Sequence, residues 1–503
     1  MTVRAEFASL TDYLADTLEP AERERIGLIS FNHWSFAVGA VIETSLAARA
    51  LGSEVTIGFW ADETPLPDVG WRASRAVAHG LRSLTRDEQA ERALLAAGFS
   101  GGTFASPPIR RWSDRELPAV PNPATRNRIR ELTYKGSDMG RSVLQVHPDD
   151  DTPIREDYVW PHRWVKAAMR SYAWAFDQAQ ALIRERRLGT VVVYNGRFTH
   201  DQAVAAAAAQ EGIRVLYYDT GGYETDFDLT EATTHDWAHL QGRMRRMYDS
   251  WDPTERDVIG SSWFLDRQSH RDENNRLFVG SQTRGHVDEL PEAQTLVVFF
   301  SSSGDEIAEL DIDWAEYLHS QEAALSSLAE TCRGRPGTRL VVRTHPHMRL
   351  KPADDLADWM TAVAAAAPDV HFDPYSTVDS YALMERANVV FTYGSTAGVE
   401  SGFFGRPVVV MGPSAYDQLG CARRITSVDE IADCLEHPPV PNSAAAIPYG
   451  LMMQRRGFSY AHVTKMGVDD LQLGDVAIHE ATENTRKASD ALRRARTWWL
   501  TKA

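Results

Sequence analysis

Residues 387–412 read ANVVFTYGSTAGVESGFFGRPVVVMG and contain two apolar runs of the kind that form buried parallel strands. The first run, residues 389–391, stops at Tyr393-Gly394-Ser395-Thr396, where hydroxyl and small residues favour the start of a helix. The second run follows the turn Gly405-Arg406-Pro407. The order strand, Gly-Ser-Thr turn, helix, Gly-X-Pro turn and strand is typical of nucleotide-binding α/β proteins. The stretch therefore predicts part of a Rossmann-like sheet.

The Gly-Ser-Thr turn offers several groups to an anionic ligand. Gly394 lets the backbone approach a phosphate closely. The hydroxyls and amides of Ser395 and Thr396 are expected at the positive end of the following helix, which favours anions. Glu400, one turn further on, can accept hydrogen bonds from ribose hydroxyls. A helix cap followed by packing glycines would give the same pattern without a ligand, and this alternative stays open.

A second stretch, residues 338–347 (TRLVVRTHPH), ends another apolar strand with a histidine. Because Pro346 stops the strand, His345 is expected at the carboxyl edge of the sheet. An imidazole there can donate to a nucleotide phosphate and stabilise the leaving group, while Arg343 adds positive potential. His345 and His347 have no third ligand at a readable spacing, so the sequence predicts no metal site.

The strand at residues 295–300 runs into Ser301-Ser302-Ser303-Gly304 and then two acidic residues. Because hydroxyl residues precede an expected helix here, Ser302 and Ser303 are expected to contact the nucleotide-sugar donor as well. Asp305 or Glu306 would act as a general base if burial in a closed cleft raised its pKa. Both are also ordinary first-turn residues of a helix, where acidic side chains are favoured.

The loop at residues 373–381 precedes a helix and the Gly-Ser-Thr turn, which is where a nucleobase would lie. It adds Ser376 and Tyr381 to the expected donor contacts. The predicted donor-binding residues are Ser302, Ser303, Arg343, His345, Ser376, Tyr381, Gly394, Ser395, Thr396 and Glu400.

The amino-terminal part of the chain predicts a second Rossmann-like domain. Strands at residues 25–30 and 55–59 flank a helix rich in small residues, which makes a βαβ unit. His33 follows the first of these strands and is a candidate general base for an acceptor hydroxyl. A helix cap, or packing on Trp34, would equally explain it.

Two more apolar strands of this domain, residues 190–194 and 214–218, end in polar residues. Strands of one parallel sheet present their carboxyl ends to one crevice, and amides and carboxylates placed there suit sugar hydroxyls. Helix capping and a Gly-Gly turn are an alternative reading of the same residues. The predicted acceptor-side residues are Asn195, Arg197, Asp219 and Glu224.

Composition limits the class of protein. A chain of 503 residues with 43% apolar residues can build at least two domains, and its net charge of −17 argues against nucleic acid as a partner. No run of eighteen apolar residues occurs, and acidic residues in the first 25 positions argue against a secretory signal. Three widely separated cysteines do not suggest a disulfide framework, so we expect a cytoplasmic protein.

The expected domains are an acceptor-side domain at residues 1–288, a nucleotide-sugar-binding domain at residues 289–475, and a helix at residues 476–503. A polar, Pro-containing segment before residue 295 sets the first boundary. The last helix is basic and contains Trp498 and Trp499. We expect it to cross back onto the first domain. Peripheral contact with an anionic membrane surface is the alternative.

These motifs resemble bacterial capsule and lipopolysaccharide biosynthesis proteins, the group that includes Kdo- and sialyltransferases. The likeness rests on residues 380–412 (SYALMERANVVFTYGSTAGVESGFFGRPVVVMG), on residues 194–222 (YNGRFTHDQAVAAAAAQEGIRVLYYDTGG) and on the pair His345-Pro346. It implies the GT-B fold, in which two Rossmann-like domains face a central cleft.

In the related CMP-sugar transferases, His-Pro and Ser-Ser/Thr motifs hold the nucleotide phosphate. An acidic pair followed by glycine supplies the base. The resemblance thus implies phosphate contacts by His345, Ser395 and Thr396, and a base at Asp305 or Glu306. Here Gly304 precedes the acidic pair instead of following it.

The leading hypothesis is a metal-independent glycosyltransferase without a cofactor. It would move a sugar from a nucleotide-activated donor to a hydroxyl of a glycan, lipid-linked or small-molecule acceptor. A CMP-sugar is favoured over UDP-, GDP- or dTDP-sugars. The alternatives are a nucleotide-sugar 2-epimerase of the same architecture, a glycerol-phosphate polymerase, and a non-catalytic sugar-nucleotide-binding protein. The sequence leaves inversion or retention and the oligomeric state open.

Overall fold

The chain forms two compact α/β units in the computed structural model. The first unit comprises the described residues up to 233 together with those from 455 onward, and the second unit comprises residues 235–454. The structure describes residues 9–31, 35–62, 64, 87–145, 158–223, 225–233, 235–271, 279–303, 317–318, 320–465, 470–478, 487, 491 and 495.

In chain order the strands are β1 (Arg25–Ser30), β2 (Glu54–Phe59), β3 (Thr133–Tyr134), β4 (Ser137–Asp138), β5 (Thr190–Tyr194), β6 (Arg214–Thr220), β7 (Asp226–Thr230), β8 (Thr295–Phe300), β9 (Thr338–Arg343), β10 (Val370–Phe372), β11 (Val389–Thr392), β12 (Val408–Val410), β13 (Arg423–Arg424), β14 (Phe458–Ser459), β15 (Val463–Lys465), β16 (Leu471–Leu473) and β17 (Val476–Ile478).

The α-helices are α1 (Leu10–Thr17), α2 (Pro20–Glu24), α3 (Ser35–Ala50), α4 (Asp87–Ala96), α5 (Arg126–Arg130), α6 (Met139–Leu144), α7 (His162–Arg186), α8 (Thr199–Gln210), α9 (Trp237–Ser250), α10 (Pro253–Gln268), α11 (Gln321–Arg333), α12 (Ala353–Ala366), α13 (Ser380–Arg386), α14 (Ala397–Phe403), α15 (Asp429–Glu436) and α16 (Ile447–Arg455).

The first unit is built on a six-stranded sheet with the order β14-β7-β6-β5-β1-β2. Strands β6, β5, β1 and β2 are parallel, whereas β7 and β14 pair antiparallel at one edge. Helix α3 packs on one face of this sheet, and α7 and α8 pack on the other. After β1 the chain forms β2 on one side of β1. It later forms β5 on the other side of β1 and then adds β6 and β7 beyond β5. The strand order therefore reverses between β1 and β5.

The second unit is built on a six-stranded sheet with the order β10-β9-β8-β11-β12-β13, in which every pairing is parallel. The central strand β8 is apolar and buried on both faces, as expected for a sheet covered by helices on each side. Helices α11 and α12 cover one face, and α13 and α14 cover the other. The strand order of this sheet reverses between β8 and β11.

Two doubly wound sheets in one chain confirm the predicted α/β class with two Rossmann-like domains. The structure also confirms the expected strands at residues 25–30, 190–194 and 295–300. Among the described residues, no helix is both long enough and apolar enough to cross a membrane. The facing arrangement of the domains in a GT-B fold stays a prediction.

The units divide at residues 234/235, whereas the sequence suggested 288/289. Helices α9 and α10 share the apolar core of the second sheet, because Met244 and Phe264 pack in one cluster with Val390. The polar segment before β8 resembles a linker but is tied to the second unit, since the Gly285 N–H donates to Asp379 at 2.6 Å. Its composition reflects surface exposure rather than a domain boundary.

The second division lies at residues 454/455, whereas the sequence suggested 475/476. Strand β14 pairs with β7 of the first sheet, with Phe458 opposite Phe227. Residues 476–478 form β17 in a three-stranded antiparallel sheet with β15 and β16 and are not helical. Beyond residue 478, the structure describes only residues 487, 491 and 495 of the expected last helix, and each is helical. The chain therefore returns to the first unit through strands that begin well before residue 476, and the crossing back of the last helix stays a prediction.

A buried carboxylate anchors this return. Glu43, in the middle of α3, is 3% exposed. Its Oε1 accepts hydrogen bonds from the backbone N–H groups of His462 (2.6 Å) and Val463 (2.7 Å), and its Oε2 lies 2.9 Å from His462 Nδ1. Hydrogen bonds to a buried carboxylate are stronger than neutral ones, because the charge has no water to solvate it.

Replacing Glu43 by alanine should weaken this anchor. The buried N–H of Val463 and the part-buried N–H of His462 lose their acceptor, so we expect the local opening free energy of residues 458–465 to fall by about 1–3 kcal/mol. Hydrogen exchange of this segment measures the change. Glu54→Ala is the control, because Glu54 pairs with Arg25 at 3.1 Å but its side chain is 65% exposed. Equal protection in both variants would contradict the assignment.

Candidate active site

A cavity of about 320 Å³ opens at the carboxyl ends of β8 and β11, where the second sheet reverses its strand order. In open α/β sheets this switch point is the place where ligands bind, because the helices that follow the two strands lie on opposite faces and leave a crevice. Of the predicted donor-binding residues only Ser376 does not line the cavity. Those that line it are Ser302, Ser303, Arg343, His345, Tyr381, Gly394, Ser395, Thr396 and Glu400.

His345 lies at the end of β9 with its ring orientation fixed by the following turn. The 3-10 turn Pro346–Leu350 brings the His347 N–H to 3.2 Å from His345 Nδ1. The backbone N–H of His345 in turn donates to Ser301 Oγ at 2.8 Å. Since Nδ1 accepts a hydrogen bond, the neutral ring carries its proton on Nε2. That nitrogen is then a hydrogen-bond donor.

The Gly-Ser-Thr turn after β11 needs its glycine. Gly394 has φ +83°, and a Cβ built on it would lie 2.2 Å from the carbonyl oxygen of Pro413. Any side chain here would be strained and would also clash with the backbone. The glycine therefore allows the loops after β11 and β12 to meet at the cavity.

The two hydroxyl residues of this turn have different environments. Ser395 is buried, and its Oγ accepts from the N–H of Ala397, the first residue of α14, at 3.3 Å. Thr396 is exposed and lines the cavity. Helix α14 has only seven residues, and its dipole is correspondingly small. We therefore expect anion contacts here from Thr396 rather than from a long helix.

Arg343 is a buried cation beside the cavity. It is 1% exposed and donates to the carbonyl oxygens of Asp373 and Ser376. Burial lowers its pKa to about 10, so it stays charged at neutral pH. Its Nε is buried without a hydrogen-bond partner. Arg343 thus holds the loop after β10 and places a positive charge near the phosphate site expected from the sequence.

Ser376 has a structural part in that loop. Its carbonyl accepts from Arg343, and its Oγ accepts from the Val378 N–H at 3.3 Å. The structure therefore accounts for its polar groups within the turn.

Glu400 is already engaged by protein donors. Its Oε1 accepts from Arg267 Nε at 2.5 Å and from the Tyr381 hydroxyl at 3.0 Å. Burial and the neighbouring carboxylate raise the pKa of Tyr381 well above its usual value, so this hydroxyl remains a donor. Arg267 also lies 4.5 Å over the ring of Trp263. The expected contact of Glu400 with ribose must share the carboxylate with this network.

The sequence did not identify the wall of the cavity that α9, α10 and α16 supply. A domain boundary at residue 288 assigned α9 and α10 to the other domain, and nothing in the local pattern linked Arg267 to Glu400, 133 positions away. The most informative residues missed are Trp237, Trp263, Arg267, Gln282 and Tyr449.

The serine loop after β8 is shaped by hydrogen bonds. Ser301 accepts from the His345 N–H, and the Ser302 N–H donates to Gln321 Oε1 at 2.7 Å. Ser303 is 4% exposed and lines the cavity. Asp305 and Glu306, the predicted bases that follow, lie outside the described residues.

In the first unit, two predicted acceptor-side residues meet at the ends of β5 and β6. Asn195 Nδ2 donates to Asp219 Oδ2 at 2.6 Å, while Asn195 Oδ1 is buried without a partner. Desolvation raises the pKa of Asp219, although Arg456 opposes the shift. Arg197 is half-buried nearby in sequence. His33 and Glu224 lie outside the described part of the chain.

Within the described ranges, no group of three or more His, Cys, Asp or Glu side chains is placed to hold a metal ion. The three cysteines are free and buried, and burial raises the pKa of Cys332 to about 12. Buried thiols with raised pKa values are poor metal ligands and nucleophiles.

Residues 312–434 match the sequence model of a family described as "Capsule polysaccharide biosynthesis protein". Over this segment the chain resembles the capsule polysaccharide biosynthesis family. The matched segment is about a quarter of the chain and includes His345, Tyr381, Ser395 and Thr396. The resemblance read from the His-Pro and Ser-Thr motifs is confirmed there. The matched segment contributes most of the residues that line the cavity.

The comparison with curated proteins finds no similar sequence. Among solved structures, the chain is similar to "Thermosulfurimonas dismutans KpsC, beta Kdo 2,7 transferase", with 11% identity over 64% of this chain and 90% of that chain and a TM-score of 0.34. The beta Kdo 2,4 transferase of KpsC gives 12% identity, coverage of 52% and 79%, and a TM-score of 0.33. A UDP-GlcNAc 2-epimerase from Neisseria meningitidis gives 11% identity over 56% of this chain and 78% of that chain, with a TM-score of 0.25.

Removing one partner of the ion pair between Arg267 and Glu400 should be costly. The side chains of Arg267 and Glu400 are 13% and 5% exposed. Arg267→Met leaves the Glu400 charge buried and unpaired, so we expect a loss of about 3–5 kcal/mol in unfolding free energy, measured by urea denaturation.

Two further variants test this reading. The double variant Arg267→Met/Glu400→Gln should lose less, because no charge is left unpaired and the new amide oxygen still accepts from the Tyr381 hydroxyl. Arg271→Met is the control, since Arg271 pairs with Asp266 at 2.9 Å but is 69% exposed. If Arg267→Met is as stable as Arg271→Met, the ion pair between Arg267 and Glu400 contributes little to stability.

Proposed function

We propose that the protein is a glycosyltransferase that moves a sugar from a nucleotide-activated donor to an acceptor hydroxyl. The observation that carries this proposal is the convergence of His345 and the Ser395-Thr396 turn on one cavity at the switch point of the second sheet, within the capsule-family segment. Such convergence of a histidine and hydroxyl donors suits a phosphate that gains charge as it leaves.

His345 and Thr396 are the proposed contacts to the leaving phosphate. The His347 N–H fixes the imidazole so that Nε2–H is the donor. A donor held in place before reaction stabilises the developing charge without reorganisation. Arg343 adds a positive field from a buried position. These groups can stabilise the leaving group without a metal ion, and we propose a metal-independent reaction without a cofactor.

The rest of the cavity suits a nucleoside. Its volume of about 320 Å³ lies at the lower end of small-molecule sites, and Trp237, Trp263 and Tyr449 line it with Tyr381. Aromatic side chains offer stacking surfaces to a base. Glu400 lines the cavity, and we propose that it also accepts from a ribose hydroxyl, although it is shared with Arg267. We propose a CMP-sugar as the donor, with UDP-, GDP- and dTDP-sugars as outcomes of the test.

The acceptor is proposed to bind the first unit at the carboxyl ends of its strands. Asn195, Asp219 and Arg197 there combine amide, carboxylate and guanidinium groups, which suit the hydroxyls of a glycan or lipid-linked sugar. The buried Oδ1 of Asn195 lacks a donor that an acceptor hydroxyl could supply after a small side-chain rotation.

A thermal-shift panel of CMP, CDP, UDP, GDP and dTDP tests the donor site. A nucleotide at 100 times its Kd should add about 2.7 kcal/mol of stability. His345→Asn should lose this shift, because asparagine keeps an acceptor for the His347 N–H but removes the Nε2 donor. In a transfer assay the same variant should lose about 2–4 kcal/mol of transition-state stabilisation.

His286→Ala is the matched control for the thermal shifts. Its side chain is 41% exposed, belongs to the same unit and does not line the cavity, so it should leave the shift unchanged. A panel in which none of the five nucleotides stabilises the wild-type protein would overturn the proposed donor site. Conversion of UDP-N-acetylhexosamine without an acceptor would instead favour a 2-epimerase.

A further inference from the structure

A histidine and a carboxylate of the first unit meet at the point where its sheet reverses strand order. His200 is in the first turn of α8, directly after β5, and Asp62 follows β2 by three residues. Strand β1 lies between β5 and β2, so both side chains converge over its carboxyl end. This switch point is where an open α/β sheet binds its ligand. The acceptor-side residues predicted from the sequence do not include the pair.

The carboxylate is held firmly and faces one ring nitrogen. His200 Nε2 lies 3.4 Å from Asp62 Oδ2. Ser171 Oγ donates to the same oxygen, and the Thr64 N–H donates to Asp62 Oδ1 at 2.9 Å. Phe31 stacks on the imidazole at 4.6 Å with an interplanar angle of 23°. The carboxylate therefore has a fixed orientation, and the imidazole has a packed face.

The two nitrogens of His200 have different environments. Nε2 is buried and makes no regular hydrogen bond, so only a small rotation separates it from a bond to Asp62. Nδ1 makes no hydrogen bond to any described residue and is not among the buried atoms, although the side chain is only 25% exposed. A histidine with one nitrogen beside a carboxylate and the other open is arranged to accept a proton.

We propose that His200 is the general base that deprotonates the acceptor hydroxyl, and that Asp62 is its positioning residue. The role rests on the proposed glycosyl transfer. The acceptor O–H gives its proton to His200 Nδ1 while its oxygen forms a bond to the anomeric carbon. The bond between that carbon and the phosphate oxygen breaks, and its electron pair leaves with the nucleotide. Asp62 stays ionised and accepts a hydrogen bond from Nε2–H.

This assignment competes with Asp305 and Glu306, the bases implied by the family resemblance. It also differs from Asp219, whose carboxylate already accepts from the Thr220 N–H (2.7 Å) and Asn195 (2.6 Å). Asp219 is therefore suited to orient an acceptor, whereas His200 offers an open lone pair. Transfer assays on the three carboxylate variants Asp305→Asn, Glu306→Gln and Asp219→Asn should each show more residual kcat than His200→Ala.

The main test measures nucleotide release and product formation from CMP-, UDP-, GDP- and dTDP-linked sugars, with methyl glycosides as acceptors. His200→Ala should lower kcat by about 10²–10⁴-fold, the usual contribution of a general base. The donor KM and the nucleotide thermal shift should not change. Added imidazoles should restore turnover, at rates that rise with the basicity of the imidazole. Filling a structural hole would give no such dependence.

His437→Ala is the matched control, because His437 follows the last residue of α15 and its Nδ1 lies 3.2 Å from Asp433 in an exposed pair. It should leave kcat unchanged. Asp62→Asn should lower kcat with unchanged donor KM, and it decides the matter if His200→Ala does not fold. An unchanged kcat in His200→Ala, or in a folded Asp62→Asn, overturns the role of His200 but leaves the proposed glycosyl transfer standing. A wild-type protein that binds nucleotide but transfers no sugar overturns the proposed function and this role together.

Discussion

The reversal of strand order within each parallel sheet is the constraint on which both proposed sites depend. A chain that winds outward from a central strand in two directions must place consecutive helices on opposite faces, and it leaves a crevice where the winding begins. In the second unit this crevice lies between β8 and β11, and in the first between β1 and β5. Hydrogen-bonding residues gather there because strand ends leave backbone groups unpaired. The positions of both sites therefore follow from the strand order, whatever side chains are present.

The cavity of the second unit has positively charged side chains beside it, although the whole chain is acidic. The protein carries a net charge of −17, yet Arg343 and Arg267 are buried beside one cavity. Glu400 pairs with Arg267, whereas Arg343 donates to the carbonyl oxygens of Asp373 and Ser376, and the charge of Asp373 also favours its ionised form. A buried cation that forms no direct ion pair within the described part of the chain favours an anionic ligand, since the low local dielectric screens it little. The net charge argued against nucleic acid as a partner but contained no information about this field.

The strands at residues 25–30, 190–194 and 295–300 could be predicted from sequence because each contains a short apolar run. His345 and Thr396 could be placed at the sheet edge by the same logic, since a strand end fixes its next few residues. Arg267 could not, because its position depends on the packing of α10 against a strand far away in the chain. Likewise, the convergence of His200 and Asp62 depends on β1 lying between β5 and β2, an order that the sequence does not state. The local sequence pattern identifies individual strands and helices. Which of them are neighbours in space depends on the strand order of the sheet.

The return of the chain at β14 determines when each unit can be completed during synthesis. The second unit is contiguous from residue 235 to residue 454 and can fold as soon as it has left the ribosome. The first sheet must wait, because β7 acquires its partner β14 only after more than two hundred further residues have been made. Until then β7 is an open edge, a strand able to pair with other chains. Nascent protein truncated before residue 458 would thus expose an unpaired strand edge, which β14 covers once it has been made.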